Sequence, residues 1–192
     1  LGTYRVYRTT NGADSWDPIS SDLTDGSPGS SYGTVTTIAV DPSNPSVIWA
    51  GTDDSHVWMT SSGGMLGWTD VSASLPNRWV TRVAVDPTDP LIAYVTFSGL
   101  RWNENIGYVY RTTDYGANWT DITGNLPAAP VNVVLVDPDI PSRIFAGSDV
   151  GCFYTEDLGT SWNMLEAGCS TRAVRVISMA GRQAGVPGRA QA

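Results

Sequence analysis

The stretch Arg-Thr-Thr-Asp-Tyr-Gly-Ala-Asn-Trp at residues 111–119 decides the fold, because the chain repeats it. Residues 8–16 and 154–162 align with it without gaps, and residues 60–68 align with one extra residue and without an Asp. The shared pattern is a Thr, then an Asp or Asn two positions later, then a closing Trp. Self-similarity at a fixed period is the sequence signature of repeat architectures.

A second motif alternates with the first. Val-Asp-Pro occurs at 40–42, 85–87 and 136–138, and each copy ends an apolar run that Asp-Pro cannot continue as a ladder. A second apolar run then follows in each repeat. Repeats of about 40–50 residues that each hold four strand signals fit the blade of a β-propeller.

The sequence therefore predicts an all-β fold, a β-propeller of four-stranded antiparallel blades. The predicted domain spans 1–179, and an irregular basic tail spans 180–192. Its parts are a partial blade at 4–19, three blades at about 34–71, 80–122 and 131–165, and the first strand of another blade at 173–179. Two interpretations stay open: a piece of a longer chain, or a small four-bladed ring closed by strand 173–179.

The repeated pattern resembles the Asp box, also called the bacterial neuraminidase repeat, over roughly residues 4–165. Sialidases, xyloglucanases, sortilin-type receptors and photosystem II assembly factors carry such boxes. The resemblance implies propeller blades and leaves the chemistry open, because these families share a fold and not a reaction. Its residues are interpreted as structural, with the polar side chain holding a turn and the Trp packed between blades. They are Thr9, Asn11, Trp16, Trp68, Thr112, Asp114, Gly116, Trp119, Thr155, Asp157, Gly159 and Trp162.

Strand parity predicts which loops share a rim. The loops after second strands and after fourth strands open on one rim, and the boxes and Asp-Pro turns open on the other. The first rim gathers 53–56, 77–79, 99–107 and 149–150, and its longest loop suits a sugar or peptide ligand. The predicted ligand-binding residues are Arg78, Trp79, Arg101, Trp102 and Glu104. The alternative is that 98–107 is only a decorated surface loop.

A non-catalytic module that binds carbohydrate or protein is the first functional hypothesis. The alternative is a fragment of a secreted xyloglucanase-like glycoside hydrolase, which needs two carboxylates about 5–9.5 Å apart. The candidate carboxylates on the predicted rim are Asp149, Glu104, Asp53 and Asp54. Sialidase activity is disfavoured, because Arg143-Ile144-Phe145 breaks the Arg-Ile-Pro motif of that family.

Composition excludes several other classes. The formal net charge is −8 and all 11 basic residues are Arg, so a phosphate backbone is an unfavourable partner. No apolar run reaches the roughly 18 residues of a membrane span. His56 is the only histidine and no Cys-x-x-Cys occurs, so neither a metal nor another cofactor is expected. Cys152 and Cys169 are either free thiols or a disulfide, and an extracellular or periplasmic location is expected.

Overall fold

A computed structural model describes residues 3–26 and 33–165 of the chain. This part is built from strands, and one short 3-10 helix at Leu100–Trp102 interrupts the loop after the eighth strand. The strands are β1 Tyr7–Arg8, β2 Asp17–Pro18, β3 Val35–Val40, β4 Ile48–Thr52, β5 Val57–Thr60, β6 Thr69–Asp70, β7 Trp79–Val85, β8 Ala93–Ser98, β9 Gly107–Thr112, β10 Thr120–Asp121, β11 Val131–Val136, β12 Ile144–Ser148, β13 Gly151–Thr155 and β14 Asn163–Met164.

The strands form three four-stranded antiparallel sheets and one hairpin. The first blade is β3–β6, the second is β7–β10 and the third is β11–β14, and in each the strands lie side by side in chain order. Strands β1 and β2 pair as a separate N-terminal hairpin. The prediction of an all-β fold with four-stranded antiparallel blades is confirmed.

Two details differ from the expected strand bounds. The outermost strand of each blade is only two residues long, shorter than the sequence suggested. Trp79 and Gly107 also belong to strands β7 and β9, whereas the sequence placed both in loops. Ladder pairing of Trp79 with Ser98, and of Ser98 with Gly107, extends the second blade toward the rim.

Three expectations concern residues beyond those described: the strand at 173–179, the tail at 180–192 and Cys169. Cys152 is buried and disulfide-bonded, and the chain's other cysteine, Cys169, lies outside the described residues.

The innermost strands β3, β7 and β11 share a β-bulge, at Thr36, Thr81 and Asn132 respectively. A bulge turns the extra side chain out of the regular alternation of a strand. Thr36 Oγ1 donates to the Val80 carbonyl at 2.6 Å, and Thr81 Oγ1 donates to the Val131 carbonyl at 2.6 Å. Each bulged Thr therefore bonds its blade to the inner strand of the next.

Hydrophobic cores lie between blades. Every residue of β4 and of β8 is buried, which is the pattern of a strand covered on both of its faces. Trp49 from the first blade packs in one cluster with Val83 and Phe97 of the second. Tyr94 from the second blade packs in another cluster with Val134 and Ile144 of the third. The stability of each blade therefore depends on its neighbour.

The same geometry recurs where the closing Trp of each of the three blades meets the preceding unit. The indole Nε1 of Trp68 donates to the Ile19 carbonyl at 2.8 Å, and that of Trp119 donates to the Val71 carbonyl at 2.9 Å. The indole of Trp162 donates to the Ile122 carbonyl at 2.9 Å. Each acceptor lies three residues after the closing Trp of the preceding unit, so the three contacts are equivalent.

The hairpin between the third and fourth strands is held by its own polar side chains. In the second blade, Thr112 Oγ1 donates to Asp114 Oδ1 at 2.8 Å and accepts the Gly116 N–H at 2.9 Å. Asp114 Oδ1 also accepts the Asn118 N–H at 2.9 Å. Gly116 has φ +84°, and a Cβ there would lie 2.8 Å from the Val71 side chain, so both the turn and the preceding blade require glycine.

The same network recurs in the other units. Thr155 Oγ1 donates to Asp157 Oδ1 at 2.7 Å, and Thr9 Oγ1 donates to Asn11 Oδ1 at 2.9 Å. In the degenerate hairpin Ser62 stands where the other units carry Asp or Asn. Its hydroxyl lies 3.1 Å from Thr60 Oγ1 and accepts the Leu66 N–H at 2.9 Å. A hydroxyl thus takes the place of the carboxylate as acceptor.

The three Asp-Pro turns use a carboxylate in a similar way. Asp41, Asp86 and Asp137 are buried, and each Oδ1 accepts backbone N–H groups two and three residues ahead at 2.8–3.2 Å. These contacts are Asx-turns. They provide acceptors for loop N–H groups that have no partner strand, because the Pro after each Asp ends the strand pairing.

Replacing Trp119 by Ala should destabilise the protein by about 3 kcal/mol, since it removes a large side chain from between two blades and strands the Val71 carbonyl. Urea unfolding at constant temperature measures this change. Trp16→Ala is the matched control, because Trp16 is 53% exposed and should cost far less. Equal costs at the two positions would contradict the interblade role of Trp119.

Candidate ligand-binding face

The rim that carries the loops after β4, β8 and β12 gathers most of the predicted site. Here this surface is called the loop rim. Arg101, in the 3-10 helix, reaches from the second blade to the first, where its Nη2 lies 3.2 Å from Asp53 Oδ2. Its guanidinium carbon lies 4.5 Å from the centre of the Trp79 ring. The structure therefore brings Asp53, Trp79 and Arg101 together across a blade boundary.

Arg78 and Glu104 are also brought together, as an ion pair. Arg78 Nε donates to Glu104 Oε2 at 2.8 Å, and its Nη2 donates to Oε1. The hydrogen bonds from Arg78 lower the pKa of Glu104, which keeps this carboxylate ionised. Each of these two charged groups therefore already has a partner of opposite charge within the protein. Trp102, the fifth predicted residue, lies at the end of the 3-10 helix beside them in the chain.

A cleft of about 260 Å³ opens among the inner ends of the blades on this rim. Asp149 lies on its wall and accepts a hydrogen bond from Asn132 Nδ2 at 2.8 Å. The other lining residues are Thr36, Trp79, Thr81, Ser98 and Leu100. The cleft thus combines an indole, three hydroxyls, a carboxamide and a carboxylate.

Sequence reasoning missed Thr36, Thr81 and Asn132 as cleft residues. They occupy the same bulge position on three successive inner strands. The available signal was a polar side chain thirteen residues beyond a closing Trp, which holds for Thr81 and Asn132. The two Thr hydroxyls donate to the inner strand of the next blade, whereas the Asn132 amide donates to Asp149.

One donor on the cleft wall is unpaired within the described residues. The Nε1 of Trp79 is buried and has no acceptor there, although a buried donor without a partner costs about 1–3 kcal/mol. The guanidinium of Arg101 covers the ring and is itself half exposed. Movement of the Arg101 side chain would uncover the face of the ring on which the guanidinium lies.

The four candidate carboxylates separate into different environments. Asp149 lines the cleft, Glu104 is paired with Arg78, and Asp53 is paired with Arg101. Asp54 lies in a neighbouring groove of about 350 Å³ that also holds His56 and Asp70. The described residues therefore place one of the four carboxylates, Asp149, on the wall of the central cleft.

The repeated hairpins between β5 and β6, β9 and β10, and β13 and β14 lie at the opposite rim, which is here called the box rim. Strand β9 begins at Gly107, which pairs with Ser98 beside the cleft, and ends at Thr112, which begins the box hairpin. Five residue steps of a strand span about 17 Å. Hydrogen bonds from Asn118 lower the pKa of Asp114, and those from Ser161 lower the pKa of Asp157 to about 2.

His56 forms an additional titratable cluster that sequence reasoning did not anticipate. Its Nδ1 lies 2.7 Å from Asp70 Oδ2 and its Nε2 lies 3.1 Å from Asp25 Oδ1. Burial lowers the pKa of His56, but the hydrogen bonds to Asp70 and Asp25 outweigh burial, so the pKa is raised overall. His56 therefore links the first blade to the segment after the N-terminal hairpin.

This cluster predicts a pH dependence of stability. Because the folded pKa is raised above its ordinary value of 6.5, the contribution of His56 is fully present below that pH and is lost as pH rises through the folded pKa. Urea unfolding between about pH 5.5 and pH 8 should show wild type losing stability relative to His56→Gln. Parallel pH profiles for the two proteins would show that the cluster contributes nothing.

Neither a metal site nor a membrane helix is present among residues 3–26 and 33–165. No group of three or more His, Cys, Asp and Glu side chains is arranged there to hold a metal ion. Within the same residues, no helix has the length and apolarity needed to cross a bilayer.

In sequence, the chain is similar to a known xyloglucanase. No family model matches the chain. A xyloglucanase from Paenibacillus sp. is 27% identical over 126 residues. That match covers 60% of this chain and 12% of the xyloglucanase, so the chain spans about an eighth of that protein.

Solved structures resemble the chain more extensively. An ancestral GH74 enzyme superposes with a TM-score of 0.67 at 18% identity, covering 84% of this chain and 21% of that one. The GH74 xyloglucanase from Xanthomonas campestris gives a TM-score of 0.58 at 22% identity, covering 69% and 20%. YCF48 from Cyanidioschyzon merolae gives 0.50 at 21% identity, covering 69% and 37%.

The fold is that of a β-propeller. The propeller blades run in chain order, and the loop rim and the box rim are the two ends of the propeller axis. At identities below 25%, these structures share a fold with the chain, and a shared fold does not imply a shared activity.

Proposed function

We propose that this chain is part of a β-propeller that binds a β-linked glucan chain in the cleft of its loop rim. The cleft carries the proposal, because it combines the indole of Trp79 with hydroxyl, amide and carboxylate groups. An indole packs on the apolar face of a sugar ring, and the polar groups fix the sugar hydroxyls by directional hydrogen bonds. The xyloglucanase relative supports the choice of a glucan.

We further propose that the four repeated hairpins are Asp boxes with a structural role. Their carboxylate, amide or hydroxyl oxygens are bonded within their own turns. Oxygens that already accept or share hydrogen bonds within the turn have little remaining capacity to bind a ligand. An extracellular location fits both a glucan ligand and the disulfide at Cys152, because disulfides persist in oxidising compartments.

The glucan proposal predicts that Trp79→Ala weakens the binding of a xyloglucan oligosaccharide at least about tenfold, since about 1.4 kcal/mol of stacking and hydrogen bonding would be lost. Isothermal titration calorimetry measures the affinity, with an α-linked glucan oligosaccharide as the ligand control. Thr112→Val is the protein control. It removes the acceptor of a buried N–H on the box rim and should lower stability while leaving affinity unchanged.

Unchanged affinity in Trp79→Ala would contradict binding in the cleft. Lost affinity in a folded Thr112→Val would show that the ligand binds at the box rim, which would also contradict the proposal.

A hydrolytic role is the second candidate, favoured by the xyloglucanase relative and by the place of Asp149. Glycoside hydrolysis requires a second carboxylate about 5–9.5 Å away. Asp53 and Glu104 each form an ion pair with an Arg, and Asp54 lies in a separate groove. We therefore infer that the second carboxylate comes from outside the described residues. Asp149 would then supply one half of a catalytic pair in a larger assembly.

We therefore expect the 192-residue chain to bind xyloglucan without cleaving it. A reducing-sugar assay on the purified chain tests this, with Asp149→Asn as the matched variant. Turnover by the wild type that Asp149→Asn abolishes would reverse the order of the two functions.

A further inference from the structure

One face of the Trp79 indole is covered by a charged side chain. The ring is half-buried and lies on the wall of the cleft, and the guanidinium carbon of Arg101 lies 4.5 Å from its centre. Leu100, in the same 3-10 helix as Arg101, also lines the cleft, so the covered face adjoins it. A sugar ring packs on the same kind of indole face as a guanidinium does. Arg101 and a sugar therefore compete for this face.

The neighbouring blade holds Arg101 in this position. Its Nη2 donates to Asp53 Oδ2 at 3.2 Å, and its Nη1 donates to the Asp53 carbonyl at 3.3 Å. Asp53 Oδ1 in turn accepts the Thr34 N–H at 2.6 Å, and the Asp53 N–H donates to the Thr34 carbonyl at 3.0 Å. Asp53 is thus tied to Thr34 by backbone and side chain, whereas half of the Arg101 side chain is exposed to solvent.

The backbone that carries Arg101 is held by contacts that do not involve Asp53. The Glu104 N–H donates to the Gly99 carbonyl at 3.1 Å and closes the loop, and the Arg78–Glu104 ion pair ties the loop to its own blade. A Cβ at Gly99 would lie 2.8 Å from that of Glu104, so the two ends of the loop are in close contact. Arg101 can thus leave the ring by a change of side-chain rotamer, without movement of the loop.

We propose that Arg101 caps the Trp79 ring and that a glucan binds in the cleft by displacing it. This inference rests on the proposed glucan binding and adds the residue that sets its affinity. A cation–π contact and an ion pair are each weak when half exposed to solvent, so the cap lowers the affinity roughly three- to tenfold and does not prevent binding. Displacement leaves the bonds between Asp53 and Thr34 in place.

The first experiment measures the affinity for a xyloglucan oligosaccharide by isothermal titration calorimetry. Arg101→Ala should bind it about three- to tenfold more tightly than wild type. Asp53→Asn should tighten binding less, because the amide oxygen still accepts the Thr34 N–H while the ion pair is lost. Arg143→Ala is the matched control, since Arg143 is also partly exposed and is paired with Glu156 at the box rim. It should leave the affinity unchanged.

Ionic strength separates the cap from a direct contact between Arg101 and the ligand. The oligosaccharide is uncharged, whereas the Arg101–Asp53 pair is partly exposed and is screened by salt. Raising NaCl from about 50 mM to about 500 mM should therefore tighten binding by wild type and leave the affinity of Arg101→Ala unchanged. A wild-type affinity that does not rise with salt would overturn the cap.

Hydroxyl-radical footprinting tests the cap without any ligand. The rate at which Trp79 is modified, measured by mass spectrometry, should rise at least about twofold in Arg101→Ala, because the ring face under the guanidinium becomes exposed. Arg143→Ala should keep the wild-type rate. Equal rates in wild type and Arg101→Ala would overturn the cap whatever the ligand.

The binding results separate failure of the cap from failure of the proposed function. Weaker or unchanged binding in Arg101→Ala, when wild type binds, would overturn the cap and leave glucan binding in place. No binding by either protein would instead overturn the proposed function, and displacement with it. Binding by Arg101→Ala alone would support both. Circular dichroism verifies that each variant is folded.

Discussion

The hydrogen bond from each closing indole to the carbonyl three residues past the previous closing Trp is the contact on which the architecture depends. An indole N–H is a donor only, and burying it without an acceptor costs free energy. The acceptor always belongs to the preceding unit, at 2.8–2.9 Å. One bond and one ring thus fix both the spacing and the order of the blades.

The two rims divide structure from proposed function as a consequence of this arrangement. At the box rim, polar groups are consumed in closing hairpins: Thr112 serves both Asp114 and Gly116, and Thr155 serves both Asp157 and Gly159. At the loop rim, side chains from different blades meet, as Arg101 does with Asp53. The cleft forms at this rim because the bulged inner strands direct Thr36, Thr81 and Asn132 to positions beside it.

Much of the fold could be predicted because its signals are local. A Thr two positions before an Asp, a turn glycine and a Trp specify a hairpin, and the period of the Trp residues specifies the blade. The strand parity argument then placed Arg78, Trp79, Arg101 and Glu104 on one rim, where the structure also has them. Ser62 shows the limit of pattern matching, since a hydroxyl performs the work of the missing carboxylate.

The details of the site could not be predicted, because they depend on contacts between distant segments. Nothing in the sequence indicates that Arg78 selects Glu104, 26 positions away, or that His56 lies between Asp25 and Asp70. The bulges at Thr36, Thr81 and Asn132 likewise follow from strand register in three dimensions. Sequence reasoning therefore named four candidate carboxylates without their surroundings, while the structure places Asp149 on the cleft wall.

The exchange of indole protons with deuterium tests the interblade contact most directly. Nuclear magnetic resonance resolves the Nε1–H signal of each Trp, and the urea-unfolded chain supplies the reference rate. The account predicts that the indole protons of Trp68, Trp119 and Trp162 exchange at least about a hundredfold more slowly in the folded protein than in the unfolded chain. Exchange of these three protons at the unfolded rate in a protein that remains folded would contradict it.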